Sequence, residues 1–261
     1  MTRARAIAAG CAAAVLLGAC SQTVNGTPAS SGASGAQTPF PKDIAALAKL
    51  LQGNRSVHTA HIGLTEEAAG TTVTATGVEK LGNGQVQAMD MSESVQSQQI
   101  RFIVIGTDVY AKLPPATPIA HSKPWIKLSA STTDPTLQQL YSQFESSRTA
   151  GAAYSTDIFS TAARDLKFKG TSQFDGEQVA HYTMSLDVNA LPASFPNLDQ
   201  LKQTGLTTLP LQLWVDHEGR TRKFEENLAV MGQHVHVTYQ LTKIDQPVQI
   251  SPPPASQVEQ K

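Results

Sequence analysis

The chain has 261 residues, 40% of them hydrophobic, 16% charged and 6% aromatic, with 20 Lys and Arg against 21 Asp and Glu for a formal net charge of −1. That balance excludes a nucleic-acid binder, which needs a basic surface to release counterions from phosphates. The body has no run of about 18 apolar residues, which excludes a polytopic helical membrane protein and leaves one soluble domain with extra segments at its ends.

The first segment is an export signal. Arg3 and Arg5 give a short positive region, Ala6 to Leu17 an apolar stretch rich in small residues, and Leu17-Gly18-Ala19-Cys20 closes it. The apolar stretch is about a dozen residues, too short to cross the hydrocarbon slab as a permanent anchor. A branched apolar residue, two small residues and a cysteine form a bacterial lipobox. Residues 1–19 are therefore expected to be removed and Cys20 to become an acylated N-terminus. The alternative is an ordinary secretory signal that happens to contain Cys20. Cys11 leaves with the signal, so the mature chain keeps a lone cysteine that has no internal partner for a disulfide. Removing Arg3 and Arg5 leaves 18 basic and 21 acidic residues, a net of −3, so surface charge gives no reason to hug anionic lipid. Acyl chains at Cys20, at about 0.8 kcal/mol per buried CH₂, would hold the protein to the extracytoplasmic face of the cell membrane.

Residues 20–41 then read as the lipidated Cys20 and a flexible tether of Ser, Thr, Gly, Ala and Pro, with an r.m.s. reach of roughly 25 Å. Residues 42–251 are the folded domain, long enough for one large core. Pro252-Pro253-Pro254 opens a polar tail, 252–261, expected to be disordered.

Inside the domain the dominant period is two. Strands are expected near 57–67, 71–81, 85–93, 99–105, 108–113, 125–129, 166–174, 178–187, 209–216, 220–229 and 233–243. Gly82-Asn83-Gly84, Asp175-Gly176 and Asp216-His217-Glu218-Gly219 mark tight hairpins, and direct connections of this kind make neighbours antiparallel. Helices are fewer. One spans 42–53 with Ile44, Leu47, Leu50 and Leu51 on one face. Another opens at Asp134-Pro135 and carries Leu137, Leu140, Tyr141 and Phe144, and shorter ones lie near 156–165 and 197–204. The fold class is α+β: a single large curved antiparallel sheet, a half-barrel of about eleven strands, with a few amphipathic helices across its concave face.

Alternation says which side chains share that face. Tyr182, Met184 and Leu186 alternate with polar residues, as do Leu211, Leu213 and Val215, and Val235, Val237 and Tyr239. Phe102 and Val104 join them from the strand at 99–105. With Leu137, Leu140, Tyr141 and Phe144 of the covering helix, these are the candidate lining of an apolar space able to accept a hydrocarbon ligand. Side chains filling the space completely is the other outcome the pattern leaves open.

Catalytic motifs do not emerge. There is no Gly-x-Ser-x-Gly elbow, phosphate loop or His-Glu-x-x-His helix, so no enzyme and no cofactor are expected. His58 and His61, or His234 and His236, form pairs without the third or fourth ligand that zinc needs, and read as exposed strand histidines. Trp125 and Trp214 fit either a ligand mouth or a place in the core or on the sheet surface. Arg220, Arg222 and Lys223 beside Glu225 and Glu226 read as a solvated strand face, with a lipid head-group contact as the alternative.

The sequence resembles the actinobacterial LppX/LprA/LprF/LprG-type lipoproteins, whose fold is similar to that of the LolA and LolB carriers. The matching features run along the mature chain: the lipobox, Ser56-Val57-His58-Thr59-Ala60-His61, Gly106-Thr107-Asp108-Val109-Tyr110-Ala111-Lys112-Leu113 with Trp125 following, and Asp134-Pro135. They continue through Asp175-Gly176, Leu213-Trp214-Val215-Asp216 with Gly219-Arg220, and Tyr239 followed by Pro247-Val248 and a proline-rich end. The resemblance implies a monomeric, membrane-anchored carrier of acylated lipids, glycolipids or lipoglycans across the cell envelope, handing cargo to an envelope transporter partner. It does not place the lining residues, which come from alternation alone. A lipid-anchored sensor or interaction module on the same fold is the second expectation.

Overall fold

The computed structural model describes residues 39–82, 85–96, 98–114, 122–129, 131–132, 134–150, 156–193, 195, 198–230 and 233–260. Cys20, with all of segment 1–38, and Asn83 lie outside these residues. Twelve strands make one sheet: β1 (Thr59–Ala68), β2 (Thr71–Gly82), β3 (Gln85–Val95), β4 (Gln98–Ile105), β5 (Asp108–Lys112), β6 (Trp125–Leu128), β7 (Ala163–Phe174), β8 (Glu177–Asp187), β9 (Thr208–Asp216), β10 (Thr221–Val230), β11 (Gln233–Thr242) and β12 (Val258–Gln260). Their order is β12-β6-β5-β4-β3-β2-β1-β11-β10-β9-β8-β7, and the sheet stays open as a half-barrel with β12 and β7 at its edges. Every neighbouring pair is antiparallel except β12 with β6.

Four helices accompany the sheet: α1 (Ile44–Leu50), α2 (Pro135–Ala150), α3 (Thr156–Ala162) and α4 (Leu198–Gln203). Asp43 caps α1 by accepting from Ala46 N at 2.8 Å, and a 3-10 turn, Leu51–Ser56, ends it. Asp134 accepts from Thr136 N and Leu137 N at 2.9 and 3.1 Å, with Pro135 in the first helical position of α2. Asp175 and Gly176 both take positive φ, 49° and 81°, as a two-residue turn between β7 and β8 demands.

Two boundaries differ from the sequence reading. The tail is ordered over 252–260: Pro253 and Val258 are buried, and Val258, Glu259 and Gln260 pair in parallel with Trp125, Ile126 and Lys127. Packing of Val258 against Ile103 and Trp125, on the face away from the main core, compensates for the few apolar residues of the segment. The sheet therefore has a twelfth strand and is mixed. Nor does the domain begin at 42. Phe40 is buried and stacks on His217 with ring centroids 3.9 Å apart, and Pro41 O accepts from the Tyr182 hydroxyl at 2.9 Å.

The cluster at Arg220 and Arg222 is also not a solvated face. Arg222 is 3% exposed and bonds to Asp175 at 2.9 Å, Asp216 at 3.4 Å and Leu241 O at 3.3 Å, while Arg220 Nε donates to Asp216 at 2.7 Å. Asp216 also accepts from Glu218 N and Arg220 N. These charges knit the β7–β8 and β9–β10 turns together, and their burial is tolerated because each is hydrogen-bonded.

Candidate ligand site: the inner face and its open end

Cross-strand registers carry one apolar face through the sheet. Leu64 lies opposite Ala75 and Tyr239, Tyr239 opposite Phe224, Phe224 opposite Leu213, and Leu213 opposite Tyr182. The next row runs from Met184 through Leu211 to Glu226, Val237 and Glu66. The cover is in two parts: α3 packs on α1, β7 and β8, and α2 packs on β3 and β6.

Of the residues expected to line an apolar space, Phe102, Val104, Leu137, Tyr182, Met184, Leu186, Leu211, Leu213, Val215 and Tyr239 are buried in one continuous cluster. Leu140, Tyr141 and Val237 are half-buried against it. Val235 is half-buried beside a groove of about 590 Å³. The side chain of Phe144 lies outside the described residues. The structure thus brings the set together on one face, packed deeply at one end of the strands and loosely at the other.

The loose end is where β1 turns into β2 and β10 approaches β11. Its groove is lined by 67–72, 227–229 and 234–236, where Glu67, Asn227 and His236 of the outer face border it together with Val235 and Leu228. At the opposite end α1 is strapped down. Asn54 Oδ1 accepts from Thr221 N at 2.6 Å and Asn54 Nδ2 donates to Thr221 Oγ1 at 3.1 Å. Gly53 and Gly219 meet so closely that a Cβ on either would collide with the other segment's backbone, Glu218 O or Leu50 O.

No family model and no curated protein matches the sequence. Solved structures do match. The chain is similar to the lipoprotein LppX of Mycobacterium tuberculosis, with a TM-score of 0.51 at 15% identity over 79% of this chain and 99% of that one. It is similar also to LprF of Mycobacterium bovis, with a TM-score of 0.50 at 12% identity over 80% of this chain and 97% of that one. The protein has an LppX/LprF-type fold.

On this LppX/LprF-type fold the inner face is not wholly apolar. Four glutamates occupy positions that alternation assigns to it: Glu66, Glu79, Glu93 and Glu226. Glu79, between Ala60 and Met89, is fully buried and pushed up to about 8 by burial. Glu226 is pushed up to about 7 by burial, and Glu66 is raised by burial and then by the charge of Glu93. Tyr239, stacked on Phe224 at 5.1 Å, has its hydroxyl raised well above the usual phenol range by burial and then by the charge of Glu79. The sequence signal for these residues was their strand parity: Phe224, Glu226 and Leu228 share a face, as do Ile62, Leu64 and Glu66.

The outer face of the LppX/LprF-type sheet holds the other singled-out residues. Trp214 stacks on His181 at 4.2 Å with Lys223 Nζ 4.5 Å from its ring centroid, and Trp125 lies under Arg101 beside Val258. Both tryptophans belong to the outer surface layer, away from the groove. His58 meets Asp245 at 3.6 Å, and His236 bonds to Asn227 and Thr238. Among the described residues no three His, Cys, Asp or Glu side chains group closely enough for a metal.

Proposed function

We propose that this protein binds acylated lipids or lipoglycans by their chains between the half-barrel and its helices, and carries them across the cell envelope while anchored through an acylated Cys20. The observation that carries this reading is the inner face, apolar across β1 to β11 and buried under short helices, with Val235, Val237 and Leu228 only half-buried at one end. Affinity would come from apolar area, at roughly 25 cal/mol per Å², with the polar head left in water. Space for chains arises when the cover shifts. With the turn after α1 held by Asn54 and Gly53, the part of the cover free to shift is α2, whose main sheet contacts are with β3 and β6 and whose N-terminus is capped by Asp134. The likeness to two mycobacterial lipoproteins supports an envelope setting for this fold.

The test is native mass spectrometry of the full chain, processed by an envelope-bearing bacterial host and extracted in an exchangeable detergent. The expected result is a covalent acyl mass on Cys20 and, separately, lipid that dissociates on collisional activation. Protein that carries no releasable lipid and takes up no added fatty acid would refute carriage.

A further inference from the structure

We infer that the acyl-binding interior contains a polar subsite, formed by the Glu79 carboxyl and the Tyr239 hydroxyl, that takes an uncharged oxygen borne by the apolar part of the ligand, a chain hydroxyl or an ester carbonyl. This rests on the carrier reading above and adds the chemistry of the cargo to it.

Elsewhere among the described residues buried polar side chains are satisfied. Tyr182 donates to Pro41 O, and Asp216 and Arg222 bond to each other and to their neighbours. Glu79 Oε1, Glu79 Oε2 and Tyr239 Oη are the exceptions: among the described residues these buried side-chain atoms have no hydrogen-bond partner. Such groups are rare in folded proteins because each forfeits its bonds to water, and a Leu or Phe at the same positions would not incur that loss. Both groups belong to the inner face and flank β1, Glu79 opposite Ala60 and Tyr239 opposite Leu64. Of the inner-face residues about them Ala60, Ile62, Ala75 and Leu241 are apolar, two of them alanines, and Glu93 lies beyond, opposite Ala75. The partners of Glu79 and Tyr239 on β1, Ala60 and Leu64, are four residues apart on the same face, so the two side chains approach one another from opposite sides of that strand.

The donor inventory selects the ligand. At neutral pH the buried Glu79 keeps its proton, so the subsite offers two O–H donors and several acceptor lone pairs without net charge. A ligand hydroxyl accepts from one group and donates to the other, and an ester carbonyl accepts from both. A phosphate or carboxylate would arrive without a counter-cation and an ammonium would have to ionise Glu79, so charged groups are disfavoured at this depth.

The experiment is competitive native mass spectrometry on the full chain stripped of lipid, using two pairs of probes: stearic acid against positional isomers of hydroxystearic acid, and dipalmitoylglycerol against its dihexadecyl ether. Wild type is expected to prefer the oxygenated member of at least one pair by about tenfold, the size of one or two net hydrogen bonds. The pair that discriminates tells hydroxyl from ester. Tyr239→Phe and Glu79→Met are each expected to reduce the preference while binding of stearic acid or the diether is retained, and should Glu79→Met fail to fold, Tyr239→Phe carries the test alone. Equal binding within both pairs by wild type, or a preference unaffected by the variants, overturns the subsite and leaves carriage standing. Binding of none of the four probes overturns the carrier reading and the subsite with it.

Discussion

The two ends of the inner face are built from the same strands by the same alternation, yet they differ in depth. Toward the β9–β10 turn, Leu213, Tyr239, Leu241 and Phe224 are almost wholly buried and α1 is strapped over the sheet. Toward the β10–β11 turn, Val235, Val237, Leu228, Glu66 and Glu226 are half-exposed, and a groove lies beside Val235 and Leu228. A continuous apolar stripe therefore does not make a uniform core. One end is tightly packed and the other is loosely packed, the condition under which local opening costs least.

Placing the same charge at both ends tests that division most severely. Leu213→Asp, at a position 2% exposed, should cost about 5 kcal/mol or prevent folding, seen as loss of a cooperative thermal transition. A well-folded Leu213→Asp would mean the closed end is not the stability core.

Next in size is pH. The folded state holds the Glu79 proton up to about 8 whereas an ordinary glutamate loses it near 4.5, so stability is greatest below that lower value and falls as pH rises through the window. The loss is on the order of 4 kcal/mol, with Glu226 contributing between 4.5 and about 7. Denaturant unfolding between acid and mildly basic pH should show this fall, and Glu79→Gln should flatten most of it. A profile identical to wild type would remove Glu79 as the cause.

Smaller effects separate the strap from the edge. Gly219→Ala puts a methyl at φ 81° against Leu50 O and should cost about 2 kcal/mol, with faster amide exchange confined to α1 and the turn after it. Ending the chain after Pro254 removes β12. It should cost about 1 to 2 kcal/mol and shift Trp125 emission to the red, and an unshifted spectrum would show that Val258 shields nothing. Val237→Asp, at the open end, should cost about 1 kcal/mol or less in stability but lower fatty-acid uptake severalfold. Uptake equal to wild type would detach the open end of the inner face from binding.

Eleven strands were legible because each alternates over five or more residues or is bounded by clear turn residues, as with Tyr182, Met184 and Leu186 before Asp187. β12 was not. It has three residues, one of them apolar, and exists only because β6 offers a parallel edge distant in sequence. The buried state of Arg222 was hidden for a similar reason, since its partner Asp175 lies on another hairpin. The wall residues followed from parity. The four inner-face glutamates obey the same parity, but a charge in a strand is as often the mark of a wet face, and only the registers show that Glu79 faces Ala60 and Met89 from within.

The stack of Phe40 on His217 fixes where the preceding segment departs: beside the β9–β10 turn. β10 runs from that turn to the groove in 10 residues, about 30 Å of extended chain. A molecule moored through its N-terminus would thus be tethered from its closed pole, about 30 Å of strand from the groove at the other end.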